Sequence, residues 1–325
     1  MTGGGGATDV LVVCADTTTG WRAAASELAS SLERNGARVR IAFTGPIRDV
    51  RTFMLTDLVQ ARAARRTTHA AIVAHEPAAV VYCAITASLL WPRPGAIWLD
   101  AVAAQNRPGR HGVWQRVIER RRLAESPLVM RMSEHALEPL PDLSTPIVPV
   151  PVERSGPITE QRDVAAITYA ADPVKRRLGL VLDAWEAARR PGEELLVAGT
   201  DQVPEREGVR VAGKLAPADY RALLRRAQLF VCAPLREDYG IAALEALADG
   251  CMLVTTPATG GYPAFDLARA LDPRLATDEL AVALRAALDS PVPGYAAQAA
   301  ELLAPFRRDA VDATIARDVL PRLLR

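Results

Sequence analysis

Lysine is almost missing from this 325-residue chain: Lys175 and Lys214 are its only two. Aromatic residues are scarce as well, at 5%, so the cores must be built from Ala, Leu and Val. The four cysteines, Cys14, Cys83, Cys232 and Cys251, form no C-x-x-C pair, which argues against a zinc site. Each lies in or beside an apolar run, so they are expected as buried free thiols. No run reaches the ~18 apolar residues of a transmembrane helix. The start, "MTGGGGATD", lacks the basic and apolar regions of a secretory leader, and a cytoplasmic location is expected. With a net charge of +1, the chain has no bulk attraction for nucleic acid, and no such partner is expected. There is no GxxxxGK[ST] phosphate loop. The glycine run at 3–6 precedes the first apolar run, whereas a dinucleotide fingerprint follows a strand, so it reads as a tail.

What is present is a regular alternation. Short apolar runs at 9–14, 38–43, 78–85, 95–100 and 127–133 read as strands. Between them lie helical patterns, with Trp21, Leu28 and Leu32 on one face of the first, another at 50–74 and a basic one at 114–126. Residues 141–163 hold five prolines and no helical period, and read as a linker plus an edge. The alternation then resumes, with strands at 164–170, 194–200, 209–214, 229–234 and 251–256 and helices at 177–189, 216–227 and 240–249. Val311, Ile315, Val319 and Leu323 recur every fourth residue and predict an amphipathic terminal helix. The pattern predicts two α/β domains of similar size, each a doubly wound parallel sheet.

The stretch "PLREDYGIAALEALADG" (234–250) raises a chemical question. Glu237 and Asp238 stand before a helix whose first amides, near Ile241 and Ala242, have no partner within it. Those amides and the helix dipole favour an anion. Gly240 lets the anion approach, and small side chains keep the mouth open. The acids could simply stabilise the helix end, with Glu245 a solvated residue. Alternatively they accept hydrogen bonds from hydroxyl groups. A nucleotide sugar has hydroxyls on both sides of a pyrophosphate and suits such a site.

Glu237 and Glu245 match the E-x7-E motif of retaining GT-B glycosyltransferases, and "EDYGIAALEALADGCMLVTTPATGGYPA" resembles the corresponding region of glycosyltransferase family 4. Gly240, Leu244, Glu245, Ala246, Gly250, Gly260 and Gly261 agree with it. The resemblance spans about 165–265, and more weakly the N-terminal half. It implies a GT-B fold, two Rossmann-like domains facing a cleft. The acceptor would lie with 1–150 and the nucleotide sugar with 151–305, and helix 306–325 would cross back to the N-terminal domain. It implies transfer from a nucleotide diphosphate sugar to an acceptor hydroxyl with retention of configuration. Glu237 would contact the donor sugar and support its oxocarbenium-like transition state. Glu245 would bind the ribose, and amides at 240–242 the pyrophosphate. No metal and no other cofactor is expected, and the chain has no convincing D-x-D.

"ADPVKRRLG" (171–179) resembles the family segment that places a basic pair near the donor phosphates, with Lys175 matching its lysine. The family's preceding Arg is replaced by Ala170 and Ala171, and Arg176 or Lys214 is a candidate substitute. In the N-terminal half, Gly20 matches a glycine-containing loop that lines the interdomain cleft in the family, which makes it a donor-binding candidate; a helix cap by Thr18 or Thr19 is the alternative. Asp100 ends a strand where the family often has a His, and is the candidate for orienting or deprotonating the acceptor hydroxyl. An Asp capping a turn is the plain alternative. Arg107, Arg110 and His111 are candidates for an anionic acceptor or the donor phosphates, or else form an exposed basic loop. His69, His75 and His135 read as structural. The basic helix 114–126 could touch an anionic membrane surface weakly. Two other functions use similar features: a sugar-nucleotide epimerase with the same fold, which needs no acceptor, and a noncatalytic nucleotide-sugar binder.

Overall fold

Apolar runs of four to six residues alternating with helices bury well in parallel sheets covered on both faces. The computed structural model describes residues 8–15, 18–47, 50, 52–138, 145–158 and 162–325. The glycine run at 3–6, parts of the loop after the first strand (16–17) and parts of the proline-rich stretch (139–144 and 159–161) lie outside them. The chain divides into two compact units, Met1–Pro151 with Arg308–Arg325, and Val152–Arg307.

In the first unit, β1 (Val10–Cys14), β2 (Val39–Phe43), β3 (Ala79–Cys83), β4 (Ala96–Leu99) and β5 (Val129–Arg131) form one parallel sheet in the order β2-β1-β3-β4-β5. β1, β3 and β4 are buried along their whole length, as central strands should be. Trp98 is buried, and its indole Nε1 donates to the Val148 carbonyl at 2.8 Å. That bond and the bridge between Ile147 and Arg131 lay Ile147 and Val148 against the β5 edge of the sheet. The strand expected over 78–85 stops at Cys83, because Ala84 turns to φ +70° and ψ +148° and opens a short helix, Ile85–Ser88. Strand 127–133 is likewise only three residues long.

In the second unit, β6 (Val164–Tyr169), β7 (Leu195–Ala198), β8 (Val209–Gly213), β9 (Ala227–Cys232) and β10 (Met252–Thr255) are again parallel, in the order β10-β9-β6-β7-β8. Each unit is therefore a Rossmann-like doubly wound sheet. Trp185 is wholly buried and donates to the Gly208 carbonyl at 2.8 Å, in a core of Leu, Val and Ala that also holds Phe230, Tyr262 and Tyr295. The terminal segment belongs to the first unit. Val311, Ile315, Val319 and Leu323 are all buried, and Asp312 pairs with Arg34 at 2.6 Å on the helix Thr19–Arg34.

The cysteines are free and buried. Burial pushes the Cys232 thiol up to about 11 and the Cys251 thiol up to about 12, which removes thiolate reactivity near neutral pH. Among the described residues, no helix is long and apolar enough to cross a membrane.

Candidate active site

In an open α/β sheet, ligands bind beyond the carboxyl ends of the strands where the strand order reverses. In the second unit that point lies between β6 and β9. The segment after β6 carries Lys175, Arg176 and Arg177. Arg177 adopts φ +45°, a left-handed conformation rare for a residue with a side chain. Its guanidinium is tied down in compensation, donating to the Ala233 carbonyl at 2.7 Å, the Thr256 hydroxyl at 2.8 Å and the Pro234 carbonyl at 3.3 Å. The Leu235 amide donates to the Lys175 carbonyl at 2.8 Å. These bonds lay the β6 loop against the β9 loop and bring Arg176 onto Glu237, with which it forms an ion pair. The Glu237 side chain is 14% exposed. Burial works against the Arg176 charge, but the Glu237 carboxylate outweighs it and holds the guanidinium pKa above its ordinary value.

The β9 loop leads into the helix Ile241–Ala248. Its cap is Gly240 at φ +83°, and no side chain caps it. Among the described residues, the amides of Ile241 and Ala242 have no acceptor; the first bond, from Ala243, goes back to the Gly240 carbonyl at 3.0 Å. The positive φ favours glycine here, and a Cβ at residue 240 would crowd Tyr262 Cδ2 at 3.1 Å. Tyr262 is held from below, its hydroxyl 2.6 Å from Thr255 Oγ1 and donating to the Thr256 carbonyl at 3.0 Å. Tyr169, Arg176, Phe230, Glu237, Gly240 and Tyr262 line one pocket. A carboxylate, a guanidinium and two unpaired amides thus meet at a helix mouth. The amides and cation suit a phosphate; the carboxylate suits a hydroxyl or a developing positive charge.

Residues 164–290 match the family model "Glycosyl transferases group 1". The C-terminal unit is a group 1 glycosyltransferase domain. This is the retaining, nucleotide-sugar-dependent GT-B class, typically metal-independent. Solved structures agree in fold along nearly the whole chain. A sucrose-phosphate synthase from Thermosynechococcus elongatus aligns with a TM-score of 0.72 at 12% identity, covering 95% of this chain and 98% of that one. Anabaena HepE in complex with UDP and glucose gives 0.67 at 16%, covering 95% and 98%. WaaG, a glycosyltransferase involved in lipopolysaccharide biosynthesis, gives 0.66 at 14%, covering 96% and 99%. Among curated protein sequences, nothing matches.

The expected site residues fall into different places. Glu237, Gly240, Ala242 and Arg176 line the pocket, and Ile241, between Gly240 and Ala242, does not. Lys175 does not line it: its side chain is 72% exposed, with Asp172 at 3.9 Å. Lys214 is exposed beyond the end of β8. Glu245 lies on the flank of the helix facing Arg221, at 3.4 Å. Burial pushes its carboxyl above the usual carboxylate range; the Arg221 charge pulls the other way, and Asp249 adds to the push.

In the other unit, Gly20 sits in the first turn of the helix Thr19–Arg34. Thr18 caps that helix, accepting from the Trp21 amide at 3.1 Å, so this loop carries out the capping role offered as the alternative. Asp100 follows β4 and is half-buried. Arg107 is engaged by buried Asp57 through two bonds of 2.8 and 2.9 Å, with Gln115 adding a third donor at 3.2 Å. An anion reaching Arg107 has to compete with Asp57. Arg110 is exposed in the 3-10 turn Gly109–Gly112, and the His111 side chain lies outside the described residues.

Behind this loop is a group that the sequence reading missed. Glu119 is 1% exposed and accepts from the Ala103 amide at 2.7 Å. Burial raises its carboxyl to about 7, against the Ala103 bond and the charges of Arg107, Arg116 and Arg120. The folded protein therefore holds this proton more tightly than the unfolded chain. The resulting stabilisation is full below about pH 4.5 and is lost as the pH rises through about 7, a difference of roughly 3 kcal/mol. Glu119→Gln keeps the acceptor and stays neutral. Its melting temperature is expected to match wild type near pH 5 and to exceed it at pH 8. A gap that does not change over that range contradicts the assignment.

Proposed function

We propose that the chain moves a sugar from a nucleotide diphosphate sugar to an acceptor hydroxyl, with the donor diphosphate held at the mouth of the helix Ile241–Ala248. The supporting observation is that Arg176, Glu237, Gly240 and Ala242 line one pocket at the start of a helix whose Ile241 and Ala242 amides have no acceptor among the described residues. Gly240 and the two amides take phosphate oxygens, and Arg176 supplies the cation that the family's missing Arg leaves vacant. Lys175 and Lys214, both exposed, act at most as longer-range charges. Glu237 faces the donor sugar, and Glu245 accepts from the ribose hydroxyls.

In the reaction, the bond between the anomeric carbon and the donor phosphate oxygen breaks, and its electron pair stays on the diphosphate. A bond from the acceptor oxygen to the anomeric carbon forms, and the acceptor's proton leaves. Positive charge builds on the sugar as the first bond stretches, and the Glu237 carboxylate opposes that charge. Asp100 is the group assigned to the acceptor proton; on the same unit Gly20 is a donor-side candidate, Arg110 and His111 are candidates for an anionic acceptor or the donor phosphates, and Arg107 acts there only after release from Asp57. On the helix Val113–Glu125, Val113 and Val117 are exposed beside Arg120 and Arg121, a face suited to weak contact with an anionic membrane surface.

The test is a donor panel of UDP-, GDP- and ADP-linked hexoses, with and without mixed hydroxyl acceptors, read as released nucleoside diphosphate and by anomeric NMR of the product. The Anabaena protein of similar fold was solved with UDP and glucose, so the uridine donors come first. Diphosphate release that requires an acceptor, with the anomeric configuration kept, is expected. Isomerised donor without release points to an epimerase, and binding without turnover to a nucleotide-sugar binder; either overturns the proposal.

A further inference from the structure

Arg221 lies outside the pocket, on the helix Pro217–Arg226, yet its guanidinium spans three partners. Nε donates to Asp249 Oδ2 at 2.6 Å, Nη2 to the Glu153 carbonyl at 2.7 Å, and Nη1 approaches Glu245 Oε1 at 3.4 Å. Glu245 and Asp249 are four residues apart at the end of one helix, where like charges repel. Asp249 is wholly buried and sits at the helix C-terminus, where the dipole also disfavours an anion. It is tolerated because Arg221 neutralises it and Ser155 satisfies it, through the Ser155 amide at 2.8 Å and hydroxyl at 2.9 Å. Arg225 in turn binds the Ser155 hydroxyl, and Arg154 donates to the Ala248 carbonyl at 3.4 Å. Residues 153–155 are where the second unit begins.

We propose that Arg221 is a positioning residue for the donor nucleotide, fixing the Glu245 carboxylate for the ribose hydroxyls while clamping the same helix end to residues 153–155. The inference rests on the reading that Glu245 meets the ribose. The geometry supports it because no other basic side chain within hydrogen-bond reach of Glu245 is found among the described residues. The groups acting on Glu245 are Arg221 and Tyr220 from one helix and Asp249 from its own helix end. Of the charges acting on it, only Arg221 favours the ionised form; burial and Asp249 oppose it. Without Arg221, burial and Asp249 act unopposed to favour the protonated form of Glu245, which is a weaker acceptor for hydroxyl groups.

The experiment titrates UDP, GDP and ADP, and the 2′,3′-dideoxy form of whichever binds, into wild type, Arg221→Met, Arg221→Lys and Glu245→Gln between pH 6 and pH 9. Wild type is expected to prefer the ribose form, and Glu245→Gln to lose that preference. Arg221→Met is expected to weaken the ribose form about ten-fold at pH 7. Its loss should shrink toward pH 9, while the dideoxy form binds as in wild type. Arg221→Lys, whose single ammonium cannot span three acceptors, is expected to fall between; it carries the test if Arg221→Met does not fold. Weakening of both nucleotide forms alike, or a ribose preference undiminished in either variant, overturns the role of Arg221 alone. A wild type indifferent to the ribose hydroxyls overturns the Glu245 reading and this inference with it.

Discussion

Replacing Glu237 with Gln lowers kcat for sugar transfer by about 10²–10³-fold, the cost of removing one preorganised charge from a developing transition state. The substitution keeps size and one acceptor oxygen while turning the other into an NH2 donor. It removes the negative charge that faces the pocket and pairs with Arg176. Nucleoside diphosphate affinity changes little, because the amides of Ile241 and Ala242 and the Arg176 guanidinium remain. The split is the informative part: a loss in kcat with donor binding preserved places Glu237 at the sugar. An equal loss in diphosphate affinity places it elsewhere and contradicts the assignment. Single-turnover rates and a diphosphate titration on the same preparation measure both.

Arg176→Met lowers kcat/KM by about 10²-fold or more, since a half-buried charge-assisted contact to phosphate is worth about 1.5–3 kcal/mol and the leaving diphosphate gains charge in the transition state. A guanidinium has five donors and can hold a phosphate oxygen while keeping Glu237. In the Glu237→Gln background the Arg176→Met effect changes in size, because the two side chains are in contact and do not act additively. Lys175→Met, at an exposed position, changes kcat/KM by less than about three-fold. If Lys175 carries the larger loss, the cation has been assigned to the wrong side chain.

The comparison of these neighbouring cations shows where sequence reading stops. The strands were legible because runs such as "VLVVC" and "AVVYC" are too apolar to face water on either side, and both form central strands. The helix Ile241–Ala248 was legible from its glycines: Gly240 and Gly250 both adopt φ +83° and bound it at either end. The segment 171–177 has no period, so nothing local decides which of three consecutive basic residues turns inward. Bonds to Ala233, Pro234, Thr256 and Lys175 decide it, and they come from loops some 60 to 80 residues away in sequence. The same holds for Arg107, 50 residues from Asp57, and for Arg221, whose three partners lie on two other segments. Ala84 gave no signal because its φ of +70° suits a glycine that is not there. Side-chain pairing across loops has no sequence period, and that is where most of the site geometry resides.

The central claim is that the helix mouth at Gly240 holds a diphosphate. Calorimetric titration of wild-type protein with the nucleoside, monophosphate and diphosphate of each base tests it most directly. Two backbone amides and one guanidinium predict that one diphosphate binds with 1:1 stoichiometry, about 10²–10⁴-fold tighter than its own nucleoside. A nucleoside that binds as tightly as its diphosphate, or folded protein that binds no nucleotide at all, contradicts the claim.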